Sequence, residues 1–173
     1  MDIGERHKEV YAQFGLTFYM AQVLEHAIVN ALLCCDLIPN RRKQVRSSAD
    51  WASEVDQFMD GHFENTMAKL IRVLKQVTSV SGELEESLEQ SLKARNFLAH
   101  SYFRERAELW FTEEDRGVMI EELQAARDLF KRTDLLIEEI VKPLRRRYGI
   151  TDQVIDRAME ELKVAWQGPL ETG

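Results

Sequence analysis

Three side chains within six residues could act together on a phosphodiester: Arg95, Asn96 and His100, in the stretch ARNFLAHSYFRER (residues 94–106). Arginine offers a permanent positive charge and a planar fork for phosphate oxygens, and histidine, with a free pKa of roughly 6.5, moves a proton near neutrality. Such a pair supports RNA cleavage without a metal. The imidazole helps deprotonate the ribose 2′-hydroxyl or protonates the leaving oxygen, while the guanidinium stabilises charge gathering at phosphorus. Asn96 would orient the imidazole or the phosphate. On an ideal helix Asn96 and His100 share a face, whereas Arg95 points well round the cylinder from His100. Joint action on one ligand therefore asks for a kinked helix end, the long arginine stem or a second subunit.

The elements that must hold these residues are helical. With only 8 Gly and 3 Pro in 173 residues and 45% hydrophobic residues, long helices with short connections fit better than a many-stranded sheet. A first helix is expected from Glu5 to Asp36, with Phe14, Phe18, Ala21, Glu25, Ile28 and Leu32 on one stripe and Leu16, Met20, Val23 and Ala27 on the next. Leu37–Asp50, with Pro39 and a charge run, marks a connection. Residues 51–80 read as a second helix, interrupted near Gly61. A third begins after Ser81 or Gly82, carries Leu84, Leu88, Leu92 and Ala99 towards the core, and ends at the polar trio.

Thr112, followed by Glu113, Glu114 and Asp115, makes an N-cap and acidic first turn for a fourth helix. Its stripe of Met119, Leu123, Ala126, Phe130, Thr133, Ile137, Ile140 and Leu144 runs over three heptads, with Pro143 suggesting a bend or an end. A last helix, about 151–166, is expected to pack on the outside. The fold class is therefore all-α: an up-and-down four-helix bundle (core about 5–148) with an additional C-terminal helix, in a single domain spanning 1–173.

A formal charge of −7 argues against a general nucleic-acid coat, and DNA is not expected as a partner. Basic residues are clustered locally: Arg41 and Arg42 with Lys43 and Arg46, Arg104 and Arg106 beside the motif, and Arg145–Arg147. Of these, Arg104, Arg106, Arg41 and Arg42 are candidates for contacting RNA. The two cysteines, Cys34 and Cys35, are adjacent, which gives neither a disulfide framework nor zinc spacing. No signal peptide is read, and the cytoplasm is the natural setting. Residues 16–35 approach the length of a membrane span, but Gln22, Glu25, His26 and Asn30 interrupt them, so a buried bundle helix is expected and no membrane. Glu25 breaks an apolar stripe, where a carboxylate needs a partner; Arg95 is one candidate. No glycine-rich phosphate loop, metal motif or nucleophile elbow appears, so no cofactor and no metal are expected.

Arg95-Asn96-Phe97-Leu98-Ala99-His100 resembles the R-x4-6-H motif, with a polar residue after the arginine, of the HEPN superfamily (higher eukaryotes and prokaryotes nucleotide-binding). Tyr102 extends the likeness to R-x4-H-x-Y, the version of toxins paired with minimal nucleotidyltransferase antitoxins. The resemblance covers the helical plan of residues 5–148 and specific residues in 95–102. It implies a homodimer with two motif copies in one composite cleft, and metal-independent endoribonuclease activity in toxin–antitoxin, defence or RNA-processing systems. Arg95 and His100 would then be catalytic, with Asn96 assisting. An antitoxin or nucleotidyltransferase partner is also implied, with Tyr102 as a regulatory residue modified with AMP. Beside this stands a non-catalytic bundle that binds a nucleotide, RNA or protein and keeps the motif as a polar cluster.

Overall fold

The structure is a computed structural model that describes residues 3–167, and among these the regular elements are all helical. Helix α1 (Ile3–Leu32) runs through a π-turn (Leu33–Leu37) into the short α2 (Ile38–Arg41). The wide turn lies immediately before Pro39, which has no N–H to offer the Cys35 carbonyl and whose ring would crowd it in a regular helix. Then come α3 (Ser48–Phe63), α4 (Met67–Val77), α5 (Gly82–His100) and the single turn α6 (Tyr102–Glu105). A 3-10 turn (Ala107–Trp110) leads to α7 (Glu113–Arg147), and α8 (Asp152–Gln167) follows.

Hydroxyl side chains start five of these helices. Ser47, Thr66, Ser81, Thr112 and Thr151 accept from the backbone N–H of Asp50, Lys69, Leu84, Asp115 and Val154 at 3.1, 3.4, 3.2, 3.1 and 3.4 Å. Each bond satisfies one of the donors a helix N-terminus leaves open.

Helix α1 packs most extensively on α7, and α4 and α5 close its other sides. Leu24, Ile28 and Leu32 of α1, Leu70 and Leu74 of α4, Leu84 and Leu88 of α5, and Met119, Leu123 and Phe130 of α7 are all essentially inaccessible to solvent. Three buried hydroxyls satisfy one another between α5 and α7: Thr133 Oγ1 lies 2.6 Å from Ser87 Oγ and 2.9 Å from Ser91 Oγ. Thr17 on α1 donates to the Leu123 carbonyl of α7 at 3.0 Å.

Several boundaries differ from the sequence reading. The first helix continues beyond Asp36 to Arg41, because Leu37 and Ile38 are buried and hold it down. The break in the second helical stretch falls at residues 64–66, where Thr66 caps a new helix, and not at Gly61. Pro143 does not end α7, which runs on to Arg147. Ala99 is exposed; the buried stripe of α5 is Leu84, Leu88, Ser91 and Leu98, and it continues through Tyr102. Helix α8 does not lie on the body: its side chains from Gln153 to Trp166, Ile155 excepted, are exposed.

The stretch His7–Arg41 is long and apolar enough to cross a bilayer by length and composition, yet half of its most apolar window is buried inside the protein. It serves here as a core helix.

The packing makes a testable contrast along α7. Phe130→Ala, at a fully enclosed position, is expected to destabilise by about 3–5 kcal/mol, whereas Leu135→Ala, at an exposed one, should shift stability by less than ~0.5 kcal/mol. Urea unfolding followed by far-UV circular dichroism measures both.

Candidate functional site

The candidate site sits where α5 stops. Ser101 leaves helical geometry (φ −132°, ψ −21°), and its N–H still donates to the Phe97 carbonyl at 2.9 Å. The chain then turns into α6 because Tyr102 is driven inward. Its ring is 2% exposed, and its hydroxyl donates to the Met119 carbonyl of α7 at 3.0 Å. Phe14, Phe97 and Phe103 surround that ring with centroids at 5.6, 5.6 and 5.4 Å. Phe103 in turn meets Phe14 at 4.6 Å and Trp110 at 6.0 Å, while Tyr11 lies against both Phe103 and Trp110. Offset and tilted aromatic contacts of this kind add to the area they bury. They fix the helix end from below and leave its last turn facing water.

On that turn Asn96 and His100 are exposed. They lie one turn apart on the same face, as four-residue spacing requires. Among the described residues no hydrogen bond or ion pair holds the His100 ring, so both nitrogens are open to a ligand.

Arg95 is placed differently. It occupies the position between Ser91 and Leu98 on the buried stripe, so its stem runs towards α1, where its Nε donates to Glu25 Oε1 at 2.8 Å. The two side chains keep 28% and 21% of their exposure, so the pair lies at the edge of the core. One of its terminal nitrogens stands 3.5 Å from Asn96 Oδ1. Arg95 is thus within reach of Asn96 but turned away from His100.

The other basic residues fall into two groups. Arg104 is exposed beside the motif, with Nη2 donating to Ser101 Oγ at 3.1 Å. Arg106 is taken up structurally: it makes a two-bond fork with the Glu122 carboxylate, at 2.7 and 2.9 Å, and its guanidinium lies 5.0 Å from the Phe97 ring centroid. A guanidinium held along one edge by a carboxylate and over one face by a ring is not free for a phosphate.

Arg41 and Arg42 belong to the other end of the body. Arg41 is sixteen residues beyond Glu25 on the same continuous helix, about 24 Å along its axis. Arg42 donates to the Tyr148 carbonyl at 3.0 Å and covers that residue's ring. The structure therefore does not bring these two arginines to the motif.

Glu122 and the aromatic group of Phe14, Phe103 and Trp110 did not emerge from the sequence reading. Neither follows a helical period with the motif: Glu122 is sixteen residues from Arg106, and Phe14 reaches Tyr102 only through the docking of α1 on α5 and α6. The Tyr102 hydroxyl faces the core, so the expectation that it is open to modification does not fit this placement; the aromatic contacts would have to separate first.

Compared with known proteins, the chain matches no family model, no curated protein and no solved structure. The site is therefore read from its own geometry.

Burial, and secondarily the nearby Glu122 carboxylate, pushes the Tyr102 hydroxyl well above the usual tyrosine range, against a smaller opposing effect of Arg106. The folded pKa is the higher one, so this group's contribution to stability is complete below the unfolded value of about 10 and is lost as pH rises above it. Absorbance titration at 295 nm should show one of the 4 tyrosines ionising only at the most alkaline end or on unfolding. Tyr102→Phe should remove that step and flatten the alkaline decline in stability.

Proposed function

We propose that this chain is a metal-independent endoribonuclease of the HEPN type, with His100 and Arg95 acting at the scissile phosphodiester and Asn96 assisting. The observation that carries the reading is the exposed His100 imidazole, unheld by neighbours, one turn beyond Asn96 on a helix end that an aromatic cluster around the buried Tyr102 fixes in place. In this scheme His100 accepts the 2′-hydroxyl proton, the 2′-oxygen attacks phosphorus, and the P–O5′ bond breaks with the leaving 5′-oxygen taking a proton from solvent, which the imidazolium later returns. The products are a 2′,3′-cyclic phosphate and a 5′-hydroxyl end. Asn96 orients the phosphate, and Arg104 supplies positive charge along the strand.

Arg95 and His100 point roughly 140° apart on α5, so one copy does not aim both at the same phosphate. We therefore assign the cleft to a homodimer in which Arg95 of one copy approaches the phosphate served by His100 of the other. An exposed, largely apolar face of α1 supports that pairing. Tyr11, Leu16 and Tyr19 are 58%, 46% and 59% exposed, Ala12 and Gly15 are exposed between them, and Tyr11 touches Phe103 next to the motif. In the same reading α1, the α3–α4 pair, α5 and α7 are the four members of an up-and-down bundle, α8 is the added helix, and the setting is the reducing cytoplasm. An antitoxin partner would act by covering Asn96 and His100, since the Tyr102 hydroxyl is enclosed.

One observation favours the second reading, a non-catalytic binding bundle: Glu25 already neutralises Arg95. In that case the trio anchors a ligand without chemistry.

Cleavage of a mixed RNA pool in excess EDTA separates the two. The wild type is expected to produce 2′,3′-cyclic phosphate ends, with the rate falling at least ~100-fold in His100→Ala and in Arg95→Ala. Arg41→Ala with Arg42→Ala should change the rate by less than ~3-fold, because those residues lie at the far end. Equal, background-level cleavage by wild type and His100→Ala, both folded, would leave the binding reading in place.

A further inference from the structure

Helix α8 is amphipathic and, among the described residues, has nothing to lie on. Ile155, Met159, Leu162 and Trp166 follow 4,3,4 steps and form one apolar stripe, with Leu162 57% and Trp166 78% exposed. A helix of 16 residues is marginal alone in water, and most helical stability comes from burying such a stripe. The stripe calls for a surface.

A matching surface opens at the root of the same helix. One cavity of ≈ 280 Å³ is lined by Ile38, Trp51, Tyr148 and Ile150, and a second of ≈ 250 Å³ shares Ile38 and Ile150 and continues along Ile137 and Val141. The two make an apolar trough across the end of the body. Arg42 lines the first cavity, Lys43 lies beside Arg42, Ile38 and Tyr148 just outside it, and Arg46 follows the lining Val45, whereas the second cavity carries Asp134 and Glu138 beside Arg145. Helix α8 carries four acids (Asp152, Asp156, Glu160, Glu161) against two bases (Arg157, Lys163), a net −2. At its Trp51 end the trough is thus apolar and basic, where α8 is apolar and acidic.

The helix does not reach its own trough. Gly149 adopts φ +79°, with its N–H on the Arg146 carbonyl at 3.0 Å and the Ile150 N–H on the Arg145 carbonyl at 2.9 Å, which ends α7 in a tight turn. The Asp152 carboxylate then binds Lys142, Arg145 and Arg146 at 3.3, 3.4 and 3.3 Å and sets the direction in which α8 leaves. No residue of α8 lines either cavity.

We propose that α8 of one copy seats its Ile155–Trp166 stripe in the Ile38/Trp51/Ile150 trough of a second copy, which returns its own α8 in a two-fold exchange. Such an interface is self-complementary and closes on itself. It lies at the far end of the body from Asn96 and His100, so it stands or falls separately from the ribonuclease reading.

Sedimentation velocity of the full chain tests it. Leu162→Asp with Trp166→Asp should raise the dissociation constant of this association at least ~100-fold, lowering the assembly by one step. These positions are exposed within one copy, so the body should keep its thermal unfolding transition. Lys43→Glu with Arg46→Glu, and separately Glu160→Lys with Glu161→Lys, should each weaken self-association. Mixing the two charge-reversed proteins should restore it as a heterodimer, because both contacts are then matched. None of these substitutions touches the motif face, so the contacts at the two ends remain distinguishable. A wild type that does not self-associate, association unchanged in Leu162→Asp/Trp166→Asp, or no heterodimer on mixing would overturn the proposal.

Discussion

The architecture depends on enclosing α1. Its residues are apolar over so wide an arc that no single neighbour covers it, and α7, α4 and α5 must all dock before Leu24, Ile28 and Leu32 leave water. At about 25 cal/mol per Å² of apolar surface removed from solvent, this burial is the main favourable contribution to folding. The hydroxyl caps and the Ser87–Thr133–Ser91 group act differently. They stabilise little on their own but satisfy polar groups that would otherwise penalise the packed arrangement.

The candidate site inherits its form from that enclosure. Helix α5 docks with Ser91, Arg95 and Leu98 turned inward, so Glu25 on α1, an expensive residue inside an apolar stripe, meets Arg95 at the edge of the core. Two residues after His100, Tyr102 is buried against Met119, which stops the helix and leaves Asn96 and His100 on an exposed turn above a rigid aromatic base. A reacting group benefits from this combination of a free side chain on a fixed backbone, since orientation contributes strongly to rate.

Much of this was legible in the chain. The α7 stripe and its Thr112 cap followed from helical period and capping chemistry, and Met119, Leu123, Phe130, Thr133 and Ile137 are buried. The stripe of α5 was harder, because three of its inward positions are Ser87, Ser91 and Arg95. An apolar count passes over them and shifts to Ala99, which is exposed. Polar residues become core residues only through partners on other helices, Thr133 and Glu25 here, and those lie 42 and 70 residues away. The Arg106–Glu122 fork was invisible for the same reason. Helix α8 was readable as a helix, but where it goes depends on the turn at Gly149 and the Asp152 ion pairs, which periodicity does not encode.

The central claim is that Asn96 and His100 present a site for an RNA phosphate. Its most direct test is the NMR spectrum of the full chain titrated with a short oligoribonucleotide blocked by 2′-deoxy substitution at each cleavable step, observed at the histidine ring and asparagine side-chain signals. The account predicts saturable shifts concentrated on His100 and Asn96, with those of His7, His26 and His62 still. Shifts confined to the Arg41–Arg46 end, or none at His100 at saturating oligonucleotide, would contradict it.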